Sequence, residues 1–210
     1  MSGAVVVAVD AFDETHDGKS QGTVYVSDMG STEPYSGISR VKPRWSPGNL
    51  RVGAGDALDL RGTYTETQSI GATVTFPAGA PLIQISNPIG TFRFEASLPE
   101  PKTIKIEGLE KYETARPYLN MIVRVENIAI DDYLFTGTGG RSNVKLSRKA
   151  ERDPFCGPFP QAPTLVNELS DIAKLDLKKG TKFKSITGIV TYFCNFHLAP
   201  RSLDDIVIDK

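Results

Sequence analysis

Cysteine, histidine and tryptophan are nearly missing from this chain of 210 residues, which has two, two and one of them. Two cysteines cannot build the dense disulfide framework of a small secreted scaffold. A zinc site needs three or four convergent ligands. His16 and His197, like Cys156 and Cys194, stand far apart, with no C-x-x-C or H-x-x-x-H spacing to gather them, so no metal or other cofactor is expected. Long apolar runs are absent too. The longest, Ala4 to Val9, is one strand long, far short of the roughly 18 residues that span a bilayer, so no membrane span is expected. Met1-Ser2-Gly3 lacks the charged and apolar regions of a signal peptide. Nor does one sign of charge dominate: 24 Lys and Arg oppose 25 Asp and Glu, for a net charge of -1. A protein that coats nucleic acid non-specifically needs a basic excess, and the whole chain has none.

What is present is turn chemistry and short β runs. Gly (19) and Pro (14) are spread along a chain that is 40% hydrophobic and 23% charged, which excludes a disordered polyelectrolyte and a collagen-like repeat. Runs of Val, Ile, Thr and aromatics bounded by Gly, Pro, Asn and Asp predict strands at Val5–Val9, Thr23–Ser27, Ala57–Glu66, Thr73–Phe76, Pro81–Ile85 and Thr91–Glu95. In the second half the same signal predicts Thr103–Ile106, Met121–Ile130, Arg141–Leu146, Phe183–Phe193 and Asp205–Ile208. Ile104-Lys105-Ile106 and Phe92-Arg93-Phe94 alternate apolar and charged residues, the pattern of antiparallel sheets with one wet face. Helix signal is sparse. A turn or two is expected around Leu109–Tyr112, and a longer helix over Pro163–Leu175, where Leu165, Leu169 and Ile172 recur at helical spacing with Thr164 or Asn167 as cap.

A weak repeat runs through this pattern. The stretch from Gly55 to Tyr64 is echoed by Gly180 to Ile189, each with a turn Gly, an alternating strand, a second Gly at 62 or 188, and more strand. A Gly inside a strand marks a bend or bulge, the device that lets a strand turn a barrel corner. The expectation is an all-β chain of two tandem OB-like small β-barrels with short helical insertions, residues 4–100 and 101–210, the second carrying a Pro-rich insertion. A single β-sandwich is the alternative. The halves differ in charge: residues 1–100 carry 7 Lys and Arg against 11 Asp and Glu, and residues 101–210 carry 17 against 14, a net of −4 and +3.

The segment Leu109 to Glu113, followed by Asn120-Met121-Ile122-Val123-Arg124-Val125-Glu126, resembles the opening of a bacterial OB-fold domain. Ile186 to Tyr192, with Leu198-Ala199-Pro200-Arg201-Ser202 and Asp204-Asp205-Ile206, resembles its closing strands. The likeness covers residues 109–208. It extends more loosely to the first half through Val24 to Asp28, Pro34 to Ile38 and Gly55-Asp56. It is a resemblance to OB modules of bacterial secreted proteins and lipoproteins, and to those associated with extracellular nucleases. It implies export to the periplasm, outer envelope or exterior and a binding role without catalysis. If the chain is exported, pairing Cys156 with Cys194 would close a loop of about 38 residues and stabilise by roughly 3–4 kcal/mol on the chain-entropy model; in the cytosol they would be free thiols.

Candidate chemistry beyond this is thin. No G-x-S-x-G or H-E-x-x-H is present, so no enzyme is expected. Asp13, Thr15, Asp17 and Gly18 sit at positions one, three, five and six of a calcium loop, but position twelve is Val24, and a polar hairpin loop explains them more simply. Basic residues gather at Lys145, Arg148, Lys149 and Arg152, and at Lys178, Lys179, Lys182 and Lys184, with Tyr133, Phe135, Tyr192, Phe193 and Phe196 as aromatics. A basic groove with aromatic platforms is how OB-folds hold single strands. The bland reading makes Phe183 core and the lysines its wet face. Trp45, between Pro43 and Pro47, is placed in a loop, as a plug over a barrel end or a binding anchor. The leading expectation is therefore a binding module for a protein or glycan. The rival is a single-stranded nucleic-acid module acting through Lys145, Arg148, Lys182, Lys184, Tyr192 and Phe196 of the second half.

Overall fold

A computed structural model describes residues 1–13, 16–18, 22–28, 31–40, 52–67, 82–131, 135–136, 140–147, 162–192 and 195–209. The chain is all-β with short helical insertions. In the first half β1 (Ala4–Val9), β2 (Val24–Ser27), β3 (Gly37–Arg40), β4 (Asp56–Thr67) and β5 (Leu82–Glu95) form one sheet. Its pairings run β1-β2-β3-β5-β4 and return to β1. All are antiparallel except β3 with β5, which run parallel and meet at Ser39 and Gln84.

The second half holds β6 (Lys102–Thr103), β7 (Ile122–Ala129), β8 (Phe135–Thr136), β9 (Ser142–Lys145), β10 (Thr164–Val166), β11 (Lys182–Tyr192), β12 (Phe196–Ala199) and β13 (Ile206–Ile208). Its pairing order is β6-β7-β11-β12-β10-β9-β8, with β13 on β11. Strands β7 and β8 are successive in the chain. If they count as one bent first strand, then β9, β10, β11 and β12 are the second to fifth. The order is then again first-second-third-fifth-fourth, with third and fifth (β10 and β12) parallel. Among the described residues no strand pairing joins the two sheets.

The sequence repeat marks the start of corresponding long strands in both halves. Gly55 and Gly180 open the fourth strands, β4 and β11, at φ +99 and +84, where a side chain would be strained. Their N–H groups bond back toward the first strands, to Val6 O and Ile130 O. The inner glycines then differ. The register slips beside Gly62, between Arg61 and Thr63, whereas a Cβ on Gly188 would lie 2.8 Å from the Ala199 backbone, so this glycine serves close approach.

Two expectations need correction. Residues 163–175 are not a helix: Thr164–Val166 is strand β10, wedged between β9 and β12, and only Ile172–Lys174 makes a 3-10 turn. Both faces of β10 are buried, so its apolar run imitates a helical stripe, and β-branched Thr164 and Val166 suit a strand. Asn167 does not cap a helix; its side chain accepts from Ser142 N–H at 2.8 Å and donates to Gly140 O at 3.1 Å. Likewise Thr103–Ile106 is strand only at Lys102–Thr103, and Ile106–Leu109 turns into a 3-10 helix before α1 (Tyr112–Ala115). Of the expected strands Pro81–Ile85 and Thr91–Glu95, Leu82–Ile85 and Thr91–Glu95 are the two ends of the single strand β5, and Pro81 lies outside the described residues. Thr73–Phe76, Trp45 and the Pro-rich stretch 154–160 lie outside the described residues.

Each half has its own core. Val6, Val24, Val26, Ile38, Leu58 and Leu60 fill the first, while the second centres on Leu109, Val125, Leu165, Phe183, Ile186 and Leu198. Residues 1–3 extend the first sheet: Met1 and Leu60 exchange two backbone hydrogen bonds, and Asp59 accepts from Ser2 Oγ and Gly3 N–H. The Ser2 bond, then the Gly3 bond, hold the Asp59 carboxyl below its usual range against an opposing effect of burial, with Arg93 contributing less. A group with a depressed folded pKa stabilises above its ordinary value and loses that contribution as pH falls through the folded one. The protection of the Gly3 amide, its exchange rate relative to an unstructured amide at the same pH, should therefore fall in acid ahead of that of β1; equal protection of both down to global unfolding would contradict the assignment.

Candidate functional site

Where the halves meet, alternation along each strand decides what faces the seam. On β2, Val24 and Val26 point into the first core, so Tyr25 points out, and it lies under the second half with Val7 and Ala8. Opposite them are Ile122, Val166, Leu169, Ile189 and Ala199, the outer faces of β7, β10, β11 and β12 with part of the 167–171 loop. Contact extends to the backbone. Gly37 lies so near Asn120 and Met121 that a Cβ there would sit 2.5 Å from Asn120 C.

A polar group borders this apolar seam. Tyr25 Oη donates to Glu168 Oε1 at 3.2 Å, and Thr191 Oγ1 donates to Glu168 Oε2 at 2.7 Å. The carboxylate thus joins a strand of each half. His197 faces Thr191 across the β11–β12 ladder, with Nε2 at 3.0 Å from Asn195 Oδ1. Among the described residues no three of His, Cys, Asp and Glu converge on a point that could hold a metal ion.

At the outer rim, the turn Glu33–Ser36 of the first half lies on residues 116–118 of the second. Tyr35 N–H donates to Pro117 O at 2.6 Å, and the Tyr35 ring stands 5.6 Å from the guanidinium carbon of buried Arg116. Lys102 Nζ lies 3.9 Å from Glu33 Oε1. Tyr35 is nevertheless 60% exposed, more than any other large hydrophobic side chain described, and it has φ +68. A bulky non-glycine residue at that angle is strained. A second exposed aromatic group, Tyr64, Phe92 and Phe94, lies on the β4–β5 ribbon.

Among the described residues, those singled out from sequence do not assemble into one groove. Lys182 and Lys184 are exposed on either side of buried Phe183. Tyr192 and Phe196 sit inside, packed on each other and on Tyr112 with ring centroids 5.0, 6.0 and 5.6 Å apart, so they offer no platform beside those lysines. Lys145, half-buried on β9, is paired with Thr164 and accepts Asp131 N–H at its carbonyl. Lys178 pairs with Asp176 at 2.7 Å and Lys174 with Asp171 at 3.6 Å, which offsets part of the basic cluster. Asp13 accepts the N–H groups of Asp17 at 3.1 Å and Gly18 at 2.7 Å, closing a turn of the kind that explains the loop without a cation. Thr15, Arg148, Cys156 and Cys194 lie outside the described residues. Tyr25, Glu168, Thr191, Tyr35 and Arg116 carried no signal of a site; Tyr25, Tyr35 and Thr191 entered only through the stretches Val24–Asp28, Pro34–Ile38 and Ile186–Tyr192 that resemble strands of an OB-fold domain.

Comparison with protein-family profiles, with curated proteins and with solved structures found no match.

Proposed function

We propose that the chain is a non-enzymatic binding module of two tandem OB-like barrels, exported to the bacterial envelope or exterior, with a protein or glycan as ligand. The observation that carries this reading is the strand order first-second-third-fifth-fourth in the first half, matched in the second where β7 and β8 count as one strand, with the third and fifth strands of each half parallel; in the second half β6 also runs parallel to β7. Small barrels of this class take extended ligands on the face of their second and third strands. In the first half that face bears Tyr25 and Gly37, and the second half lies on it. This favours ligand contact at the rim around Tyr35 or on the β4–β5 ribbon.

The oligonucleotide reading draws on exposed Lys182 and Lys184, but Tyr192 and Phe196 are turned into the core. Fluorescence anisotropy with a labelled single-stranded oligonucleotide at low salt decides between the two, since phosphate contacts are strongest there. The proposed reading expects no binding. Tight, salt-sensitive binding that weakens sharply in a Lys182→Glu, Lys184→Glu variant would replace it with the oligonucleotide reading. Export, which rests on the resemblance over residues 109–208, further predicts a Cys156–Cys194 disulfide. Protein purified from the native envelope should gain two hydrogens in mass on reduction; two thiols titrating in unreduced protein would reject the pairing.

A further inference from the structure

We infer that the rim of the seam, around Tyr35, is a saccharide-stacking site that exists only while the two halves are docked. The inference rests on the binding-module reading and names the ligand class. Tyr35 and Glu33 come from the β2–β3 turn; Arg116 and Lys102 come from the second half. The guanidinium of Arg116 lies toward the Tyr35 ring, yet the side chain remains 60% exposed, leaving ring surface for a ligand.

The chemistry around the ring selects the ligand. A sugar offers an apolar C–H face for stacking and a rim of hydroxyls that both donate and accept. Glu33, 77% exposed at its side chain, is an acceptor, and Lys102, 37% exposed, is a donor. Their opposite charges offset each other, and Arg116 at the ring adds one cation, fewer than the several that a phosphodiester chain engages. A lipid surface needs a broad apolar area, and Tyr35 is the one exposed large hydrophobic side chain described in the 33–36 turn and residues 102–118.

The backbone supplies an independent argument. Tyr35 holds φ +68, an angle glycine adopts without cost and tyrosine does not. The Tyr35 N–H bond to Pro117 O fixes the turn in that state and would survive replacement by glycine. Tyrosine at this position is thus unfavourable for the backbone, and a binding role accounts for its presence.

Chitohexaose and cellohexaose titrated calorimetrically into the full chain test this directly. At least one should bind, with Tyr35→Ala and Tyr35→Gly each weakening it about tenfold or more. Tyr35→Gly should melt at or above the wild-type temperature, because it relieves the strained angle. Absence of binding by either sugar, or unchanged affinity in Tyr35→Ala, would overturn the inference. A fall in the Tyr35→Gly melting temperature equal to that of Tyr35→Ala would also overturn it, assigning the ring to support of Arg116. If the chain instead captures a protein with equal affinity in wild type and Tyr35→Ala, this inference fails while the binding-module reading stands.

Discussion

Gly37→Val is expected to separate the two halves, at a cost on the order of 3 kcal/mol. A Cβ at this position would lie 2.5 Å from Asn120 C, 2.6 Å from Met121 N and 2.7 Å from Asn120 O. All three are backbone atoms, so no rotamer change relieves the clash. Asn120 is itself held at φ +63, with its N–H on Val190 O, which leaves that backbone little freedom to retreat. Once the seam opens, Val7, Ala8, Tyr25, Ile189 and Val166 face water, and a single unfolding transition should split or shift to lower urea. Intrinsic fluorescence and circular dichroism followed through urea would measure both effects. A midpoint equal to wild type would mean that the halves do not depend on this contact. Glu168→Gln, which keeps the volume and removes the charge, should loosen the same seam less, by about 1–2 kcal/mol, because one of the Tyr25 and Thr191 hydroxyls keeps the amide oxygen as acceptor while the other must turn to accept from the amide nitrogen.

Phe183→Ala should destabilise the second half by about 3–5 kcal/mol. Its ring is 1% exposed, and its neighbours across the ladders are Ile128 on β7 and Ile208 on β13. Truncation would leave a cavity lined by strands paired on both sides, which cannot easily collapse. Lys182→Ala and Lys184→Ala, one residue to either side, should stay within about 0.5 kcal/mol of wild type. The contrast over three consecutive residues, read from urea midpoints, tests the in-out alternation. A large loss at either lysine would show that those side chains serve the fold.

The alternation around Phe183 was legible because period two with a charge on the wet face has one cheap solution. The fourth strands β4 and β11 were legible for a related reason: a turn glycine, an alternating run and an inner glycine give a compact signature. Short strands were harder. Gly37–Arg40, Phe135–Thr136, Thr164–Val166 and Phe196–Ala199 have two to four residues each, too few for a period to emerge. Their place is set by partners far along the chain, as where β10 lies between β9 and β12. The candidate site was hidden for the same reason. Tyr25 and Glu168 are 143 residues apart, and nothing local in Val24-Tyr25-Val26 distinguishes a seam residue from any outward-facing one. Aromatics near lysines suggested a stacking groove, but composition does not tell which side of a strand a ring occupies. For Tyr192 and Phe196 it is the inner side.

The contact between Gly37 and the Asn120–Met121 backbone bears on how such a chain can vary over generations. Apolar side chains in the seam can exchange bulk with one another, because a larger residue on one surface can be answered by a smaller one opposite. A peptide bond cannot shrink. Among diverging descendants, the position of Gly37 should resist change while Val7, Val166 and Ile189 drift together. Recombination that brings a foreign second half to this first half should succeed only where the incoming chain presents bare backbone at the place of Asn120.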